Sequence, residues 1–442
     1  MVKGWTALGT VLALALCGCS DSNSNGSCVP ATCAAECQAA GYTVGSCVEG
    51  TCRCSGTTDA GADADADDDG AVREDSTATD EGGSGHYCAE ASYIWISNTA
   101  EGTLSKVCTL DGIEVGRYWT SPQMGAGDPS RTSVNLHGDM VVTNRDPTSG
   151  PSSVTKFAAE PGGCVDRNGD HLIQTSTGPT DVRPWGEDEC MIWNTPLGAG
   201  GAIGARATAW DGTEDPDTGA GGFVWIGALS NGIVYKLDGE TGAVVDQTHV
   251  TNQPYGGAID TRGNFWIVGA FCTIGICNLA KVNTADLSVE YVNVPCGYGI
   301  SVDAHGRIWT SGRTLAGSCV NRHDPTTGTN QTYTDSRMAA FFRGIAVDDR
   351  GSVWVANTQG DVLQVDEESV ELVHTITGLA PADVIGVAVD FQHQIWAVSQ
   401  GGNMAVRINP ETYAYEQFPI GSGPYTYSDM TGYQLRTVIE IF

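Results

Sequence analysis

From Ala91 to the C-terminus, short apolar runs alternate with polar turns, and one unit recurs: a small apolar strand, Asp-x-x-Gly, then an apolar strand ending in Trp. Four copies are plain, running from Gly257 to Trp266, Gly299 to Trp309, Gly344 to Trp354 and Gly386 to Trp396. A fifth, from Arg206 to Trp225, is interrupted by the polar turn GTEDPDTGAGG, and weaker copies surround Ile94-Trp95 and Val141-Val142. After each Trp strand the pattern predicts a third strand with a turn, such as Ile233 to Gly242, and then a fourth, such as Val244 to Thr248. Asp-x-x-Gly suits a tight turn, since Gly accepts positive φ and Asp can bond its own turn. Trp at a fixed place suits packing between neighbouring sheets.

The signature positions 95, 141, 225, 266, 309, 354 and 396 are mostly 41 to 46 residues apart, the length of a four-stranded propeller blade. The chain therefore predicts an all-β, seven-bladed β-propeller over residues 87–442. The first copy lacks its inner strand, and the chain ends on an unpartnered run from Tyr425 to Leu435. A C-terminal strand completing blade one closes the ring and removes both free edges. The interval of 84 residues between positions 141 and 225 has room for an eighth blade. However, Ile192-Trp193 lies only 32 residues before Trp225, so 161–199 reads as an insertion in the outer hairpin of blade two.

The N-terminus carries different signals. Lys3 precedes the apolar stretch Trp5 to Leu16, which is too short to span a bilayer. Leu16-Cys17-Gly18-Cys19 then resembles a bacterial lipobox. That resemblance implies a signal peptide over 1–18, lipidation of Cys19 and, with Ser20 following, an outer-membrane or cell-surface location. Cys17 fits the pattern less well, and ordinary secretion with cleavage near Ser20 is the plainer alternative. Residues 19–27 form a tether, and 28–54 a cystine module of spacing C-x4-C-x3-C-x9-C-x4-C-x-C. Cys33 and Cys37 fall on one face of a predicted helix, and Cys52 and Cys54 on one face of a strand. Gly41 stops the helix and Glu49-Gly50 makes a hairpin turn.

The module resembles the cysteine-stabilised αβ domains of defensins and toxins. The resemblance implies the pairs Cys28–Cys47, Cys33–Cys52 and Cys37–Cys54. With one Arg and two Glu it lacks a basic face for attacking membranes, which leaves a binding head or a protease-resistant spacer. Residues 55–86 form an acidic disordered linker, with ten Asp/Glu and one Arg between Ser55 and Ser84.

Composition narrows the partners. With 22 Lys+Arg against 53 Asp+Glu among 442 residues, the net charge of −31 argues against nucleic acid and against any membrane contact beyond the lipid anchor. Sixteen cysteines point to an oxidising compartment. Eight follow the module, and sequence proximity pairs them as Cys88–Cys108, Cys164–Cys190, Cys272–Cys277 and Cys296–Cys319. The rival, a thiolate metal site, lacks a C-x2-C pair.

The repeat Gly-[Ile/Val]-x-Val-Asp-x-x-Gly-x-[Ile/Val]-Trp, followed by Asp-x-x-Thr-Gly, resembles that of virginiamycin B (streptogramin) lyases and related NHL-type propellers. The likeness runs through Gly257, Gly299, Gly344, Gly386, Asp260, Asp303, Asp348, Asp390 and the tryptophans. It implies seven blades and, for the lyase activity, Mg²⁺ with a His/Glu acid–base pair that opens a cyclic depsipeptide lactone by elimination. Where that family places carboxylates after the second strand, this chain has Asn98, Gly312, Asn357 and Ser399. No catalytic residue carries over.

Two constellations carry candidate chemistry. Asp166, Asn168 and Asp170, with Ile173 at the eighth position, resemble an EF-hand or dockerin loop, which implies structural Ca²⁺. His171 stands at the sixth position and Thr177 at the twelfth, so Asp181, Glu187 or Asp188 is left to supply a further carboxylate. A plain Asp/Asn/Gly turn is the alternative. At the channel mouth, residues preceding each inner strand converge: Arg206, Tyr255, Tyr298, Arg343 and, from the closing strand, Tyr427 and Asp429. They suit a small molecule, glycan or protein bearing a carboxylate, sugar or peptide group; a water-filled channel is the alternative. His305 and His393 fall in Asp-x-x-Gly turns and read as exposed turn residues. The leading expectation is a monomeric, lipid-anchored, non-catalytic recognition propeller. The second is a lyase or lactone hydrolase with a divalent metal in the channel, and a third gives binding to the cystine module.

Overall fold

The computed structural model describes residues 42–48, 51–57, 88, 91–145, 150–198, 203–270, 277–336, 340–381 and 383–439. The expected signal peptide, Cys19, the module's helix and its disulfides lie outside the described side chains, as does the linker from 58 to 86. The chain divides into two units, Met1–Thr79 and Asp80–Phe442. In the first, strands Tyr42–Val48 and Thr51–Thr57 pair antiparallel on either side of Glu49-Gly50.

The second unit is built from the recurring strands. Among the described residues it holds seven antiparallel sheets, each hydrogen-bonded in chain order, and forms a seven-bladed propeller. Blade one has three strands, Tyr93–Asn98, Thr103–Cys108 and Glu114–Trp119. The other six have four, with inner strands Pro129–Val134, Ala205–Trp210, Pro254–Ile259, Gly299–Val302, Phe342–Val347 and Val384–Val389. Inner strands touch their neighbours from blade two round to blade seven. They are almost wholly buried, whereas outer strands such as Val244–His249 are largely exposed.

The Trp positions hold the blades together. Trp95, Trp225, Trp266, Trp309, Trp354 and Trp396 are fully buried, and truncating such a side chain to Ala costs about 3–5 kcal/mol. The aspartate of each turn does more than bond its own loop. The indole Nε1 donates to Oδ2 of Asp260, Asp303, Asp348 and Asp390 at 2.7–2.8 Å, while Oδ1 accepts two backbone amides of the turn. One carboxylate therefore ties the first turn to the second strand's Trp. A cation then stands opposite the Trp position on the third strand: Lys106, Lys156, Lys236, Lys281, Arg322 and Arg407, with Gln364 as the exception. Lys236 and Arg322 lie 5.3 and 5.8 Å from the rings they face, within cation–π range.

Two expectations need correction. Met191–Pro196 falls inside the range read as an insertion, yet it is the outer strand of blade two, with Trp193 opposite Lys156. The inserted segment is thus 158–190. The closing C-terminal segment is also not a strand over its full length. Tyr425 N donates to Ser97 O and Trp95 N to Met430 O, and isolated bridges join Pro424 to Asn98 and Ser428 to Thr132. The segment therefore occupies the missing inner position of blade one, but it turns at Gly432 (φ +83°) into helix α1, Tyr433–Ile439.

Cys88–Cys108, Cys164–Cys190 and Cys296–Cys319 are bonded as sequence proximity suggested. Each closes a loop of 20 to 26 residues, which is worth about 3 kcal/mol in the chain-entropy account. Cys277 is also disulfide-bonded, and Cys272 lies outside the described residues.

Candidate functional site at the channel mouth

Inner strands begin at one end of the channel and run to the Asp-x-x-Gly turns at the other. Near their starts, five carry a register shift: between Pro129 and Thr132, Ala205 and Ala207, Pro254 and Gly256, Phe342 and Ile345, and Val384 and Gly386. The unpaired residues include Arg131, Arg206, Tyr255, Arg343 and Ile385. A bulge re-aims a side chain out of the strand's alternation, and here it does so around the ring. Tyr298 immediately precedes the inner strand of blade five.

These side chains meet. Tyr298, Ile385 and Tyr427 form a buried cluster with Tyr255, Phe341 and Tyr425 packed against it. Tyr298 stacks on Tyr427 at 5.4 Å and meets Phe341 edge-on at 4.9 Å. The hydroxyls of Tyr255, Tyr298 and Tyr425 form a triangle with sides of 2.6, 2.6 and 3.1 Å. Arg343 Nη1 donates to Tyr298 Oη at 2.7 Å, and its Nη2 lies 3.6 Å from Asp383. Arg206 lies 4.7 Å from the centre of the Tyr255 ring. Five of the six residues expected at the mouth are therefore brought together.

Asp429 is not among them. Its carboxylate accepts the amides of Thr431, Gly432 and Leu435 and caps the turn into α1. Burial pushes it up to about 6, against the hydrogen bonds from those amides. Helix α1 lies at the opposite end: Tyr433 Oη accepts from Asp349 N, Arg436 Nη2 donates to Leu136 O, and Leu435 and Val438 enter the blade cores. A cavity of about 20 Å³ lies beside Asp429, and a larger one of about 250 Å³, lined by Leu136, Phe391, Thr431 and Arg436 among others, lies beside the same helix.

Sequence reading missed Arg131, Arg145 and Tyr425. Arg131 is fully buried, its guanidinium 3.0 Å from the centre of the Tyr427 ring and 4.7 Å from that of Tyr255. Burial pulls that guanidinium down to about 10, with the neighbouring phenols opposing and the Arg206 charge reinforcing. Arg145 pairs with Asp128 and lies 5.2 Å from the Tyr425 ring. Burial alone raises the Tyr425 phenol, but Arg131, its bonds to Tyr255 and Tyr298, and Arg206 outweigh that and lower it. The signal for Arg131 was present: Pro129-Ser-Arg131 opens its strand as Ala205-Arg206 opens the next.

The calcium candidates lie elsewhere, in the blade-two insertion. Asp166 accepts the amides of Gly169 and His171, Asn168 Oδ1 that of Asp170, and Asp170 Oδ1 that of Leu172. His171 takes the left-handed conformation (φ +67°) that a Gly supplies at the sixth position of such a loop. Asp181 bonds Thr177, and Asp188 bonds Thr175, Ser176 and Cys190. The unforeseen member is buried Glu189, which accepts the amides of Arg167 and Gln174 and closes the loop base. His305 is exposed in its turn, but His393 is half-buried, 3.1 Å from Asp349 and against Tyr433. The ligand atoms of His305, Glu367 and Glu368 lie within 4.8 Å of one another, and Arg307 pairs with both glutamates.

Two solved structures are similar to the chain. A crystal structure titled virginiamycin B lyase from Staphylococcus aureus is similar at 14% identity and a TM-score of 0.48, covering 70% of this chain and 92% of that one. A streptogramin B lyase structure is similar at 14% identity and a TM-score of 0.49, covering 68% and 86%. No family model and no curated protein matches the chain.

The mouth does not suit the Mg²⁺ that the resemblance implies. Among the described residues, the charged groups that meet the tyrosine cluster are four guanidiniums, and Asp128 and Asp383 are each paired to one of them. Among the described residues, no histidine bonds to or stacks on this cluster. A hard dication needs oxygen anions around it.

Proposed function

We propose that this chain is a lipid-anchored, extracytoplasmic recognition propeller that takes its ligand at the tyrosine–arginine mouth without transforming it. The observation that carries the reading is the repeated bulge. Five blades each aim a side chain at one end of the channel, where tyrosines offer flat apolar faces with hydroxyl edges and arginines offer forked donors. Helix α1 packs at the far end, away from these side chains. Calorimetric titration of the full chain with carboxylates, sugars and short peptides tests this. Tyr255→Ala and Arg343→Ala should each weaken binding at least tenfold; equal affinity in both variants refutes the mouth as the site. Cys19→Ser should release the protein from the membrane fraction, and retention there refutes the lipid anchor.

A second reading rests on Tyr425. A phenol lowered by neighbouring cations is a candidate general base. It could take a proton β to the alkyl oxygen of a lactone, whose C–O bond then breaks to leave a carboxylate beside the arginines. Turnover of a lactone or depsipeptide panel, lost in Tyr425→Phe, supports it; no turnover by the unaltered protein removes it.

A further inference from the structure

Deeper in the same mouth, the guanidinium edges of two arginines have no partner. Arg131 is fully buried; its Nε donates to Tyr255 O at 3.0 Å, but neither Nη1 nor Nη2 has a hydrogen-bond partner in the protein. Arg206 Nε and Nη1 are likewise buried and without a protein partner. Both guanidiniums lie 4.7 Å from the centre of one ring, Tyr255. The tyrosine faces attract their charge but cannot accept in-plane N–H bonds, which need lone pairs at the fork's edge. The neighbouring carboxylates are committed, Asp128 to Arg145 and Asp383 to Arg343. Among the described residues, the cluster thus sets four guanidiniums against two carboxylates, with the excess at Arg131 and Arg206. A buried, unpaired charge is costly, and a guanidinium fork matches the geometry of carboxylate and phosphate oxygens.

Resting on the recognition reading above, we propose that the ligand is an oxyanion. A carboxylate or phosphate group of a small molecule accepts the free edges of Arg131 and Arg206, while the rest of the ligand lies on the tyrosines. This differs from the carboxylate–metal chemistry implied by the lyase resemblance, and it follows from donors left without acceptors.

Binding to the full chain is followed by calorimetry and melting in glucuronate, acetate and inorganic phosphate, each against chloride at matched ionic strength. Glucuronate or phosphate should raise the melting temperature by several degrees, and the tighter of the two identifies the group. Arg131→Met and Arg206→Met should each lose at least tenfold in anion affinity. In chloride alone, Arg131→Met should melt no lower than the unaltered protein, since a buried unpaired charge has been removed; this separates a ligand-directed arginine from a structural one. Should Arg131→Met fail to fold, Arg206→Lys, which keeps the charge but not the fork, should weaken binding. No gain over chloride, or equal gain in the Arg131 and Arg206 variants, overturns the oxyanion proposal. Binding of an uncharged sugar that Tyr255→Ala abolishes would overturn it too, yet leave the recognition reading standing.

Discussion

Replacing Asp348 by Asn and Trp354 by Phe, singly and together, tests the joint that recurs from blade four to blade seven. In blade six, Asp348 Oδ1 accepts from Arg350 N at 2.9 Å and Ser352 N at 2.8 Å, and Oδ2 accepts from Trp354 Nε1 at 2.8 Å. Asp348→Asn keeps the Oδ1 acceptor but turns an amide NH₂ toward the indole N–H. It exchanges a bond to a charged acceptor, worth about 1.5–3 kcal/mol, for two facing donors. Trp354→Phe leaves Oδ2 unpaired in a buried place and loses ring volume, which together cost about 2–4 kcal/mol. The double variant has neither the opposed donors nor the charged orphan. The two changes should therefore be less costly together than their sum, by about 1.5–3 kcal/mol. Urea unfolding followed by circular dichroism measures this, provided two probes give coincident transitions. At this size one kcal/mol moves the melting midpoint by about 1–2 °C, so thermal melts resolve the same difference. If the two changes add within about 0.5 kcal/mol, the indole–carboxylate bond is not what joins turn to strand.

Three further outcomes follow from the closing segment and the insertion. Asp429 has a folded pKa of about 6 against an ordinary 3.8, so the folded state holds its proton more tightly and this group's contribution to stability falls as pH rises from 4 to 6. At about 1.4 kcal/mol per unit the change is up to roughly 3 kcal/mol; melts of Asp429→Asn should gain on the unaltered protein between pH 4.5 and 7, and a constant difference refutes the assignment. Asp166→Ala removes the acceptor of two loop amides and should lower the melting temperature even in EDTA, by the equivalent of about 1–2 kcal/mol; a loss seen only in added calcium would show that the residue acts as a metal ligand. Truncation after Gly423 should uncover the inner edge of blade one, lower the melting temperature by more than 10 °C on the order expected when a core strand is lost, and increase binding of a hydrophobic dye. An unchanged melt would mean that the ring closes without this segment.

Most of the ring was legible because propeller geometry imposes itself on residue type at fixed intervals. The turns take a positive φ, supplied by Gly263, Gly306 and Gly351 at +71°, +73° and +84° and by His393 at +57°, and six of the seven blades place a Trp on the sheet face. Spacing carries both facts. What escaped were features defined by register. Trp193 looks like a blade signature but sits on an outer strand, since one apolar dipeptide does not reveal which strand it occupies. Arg131 lies in a blade whose second strand lacks Trp, so the repeat did not align and the bulge was not located. Asp429 carries the type of charge a ligand site wants, but only the chain's turn into α1 shows its oxygens to be spent on Thr431, Gly432 and Leu435. The reading of a strand to Leu435 failed for the same reason, because alternation cannot foresee a buried carboxylate gathering three amides.

The mouth and the closure of the ring are parts of one construction. Tyr425 and Tyr427 come from the segment whose backbone bonds to Ser97 and Trp95 stand in for the missing strand. Arg131 stacks on Tyr427, and Tyr425 completes the triangle of hydroxyls with Tyr255 and Tyr298. Two residues beyond Tyr427, Asp429 caps the turn into the helix that packs at the other end. A ligand held between the inner-strand arginines and these tyrosines would therefore bridge blades two to four and the closing segment. It would bind the closed ring and not the opened one. Such binding adds RT ln(1 + [L]/Kd) to the stability of closure, about 2.7 kcal/mol at a hundredfold excess over Kd. An arginine left unpaired at the seam of a ring costs stability until its partner arrives, and the same partner then holds the seam shut.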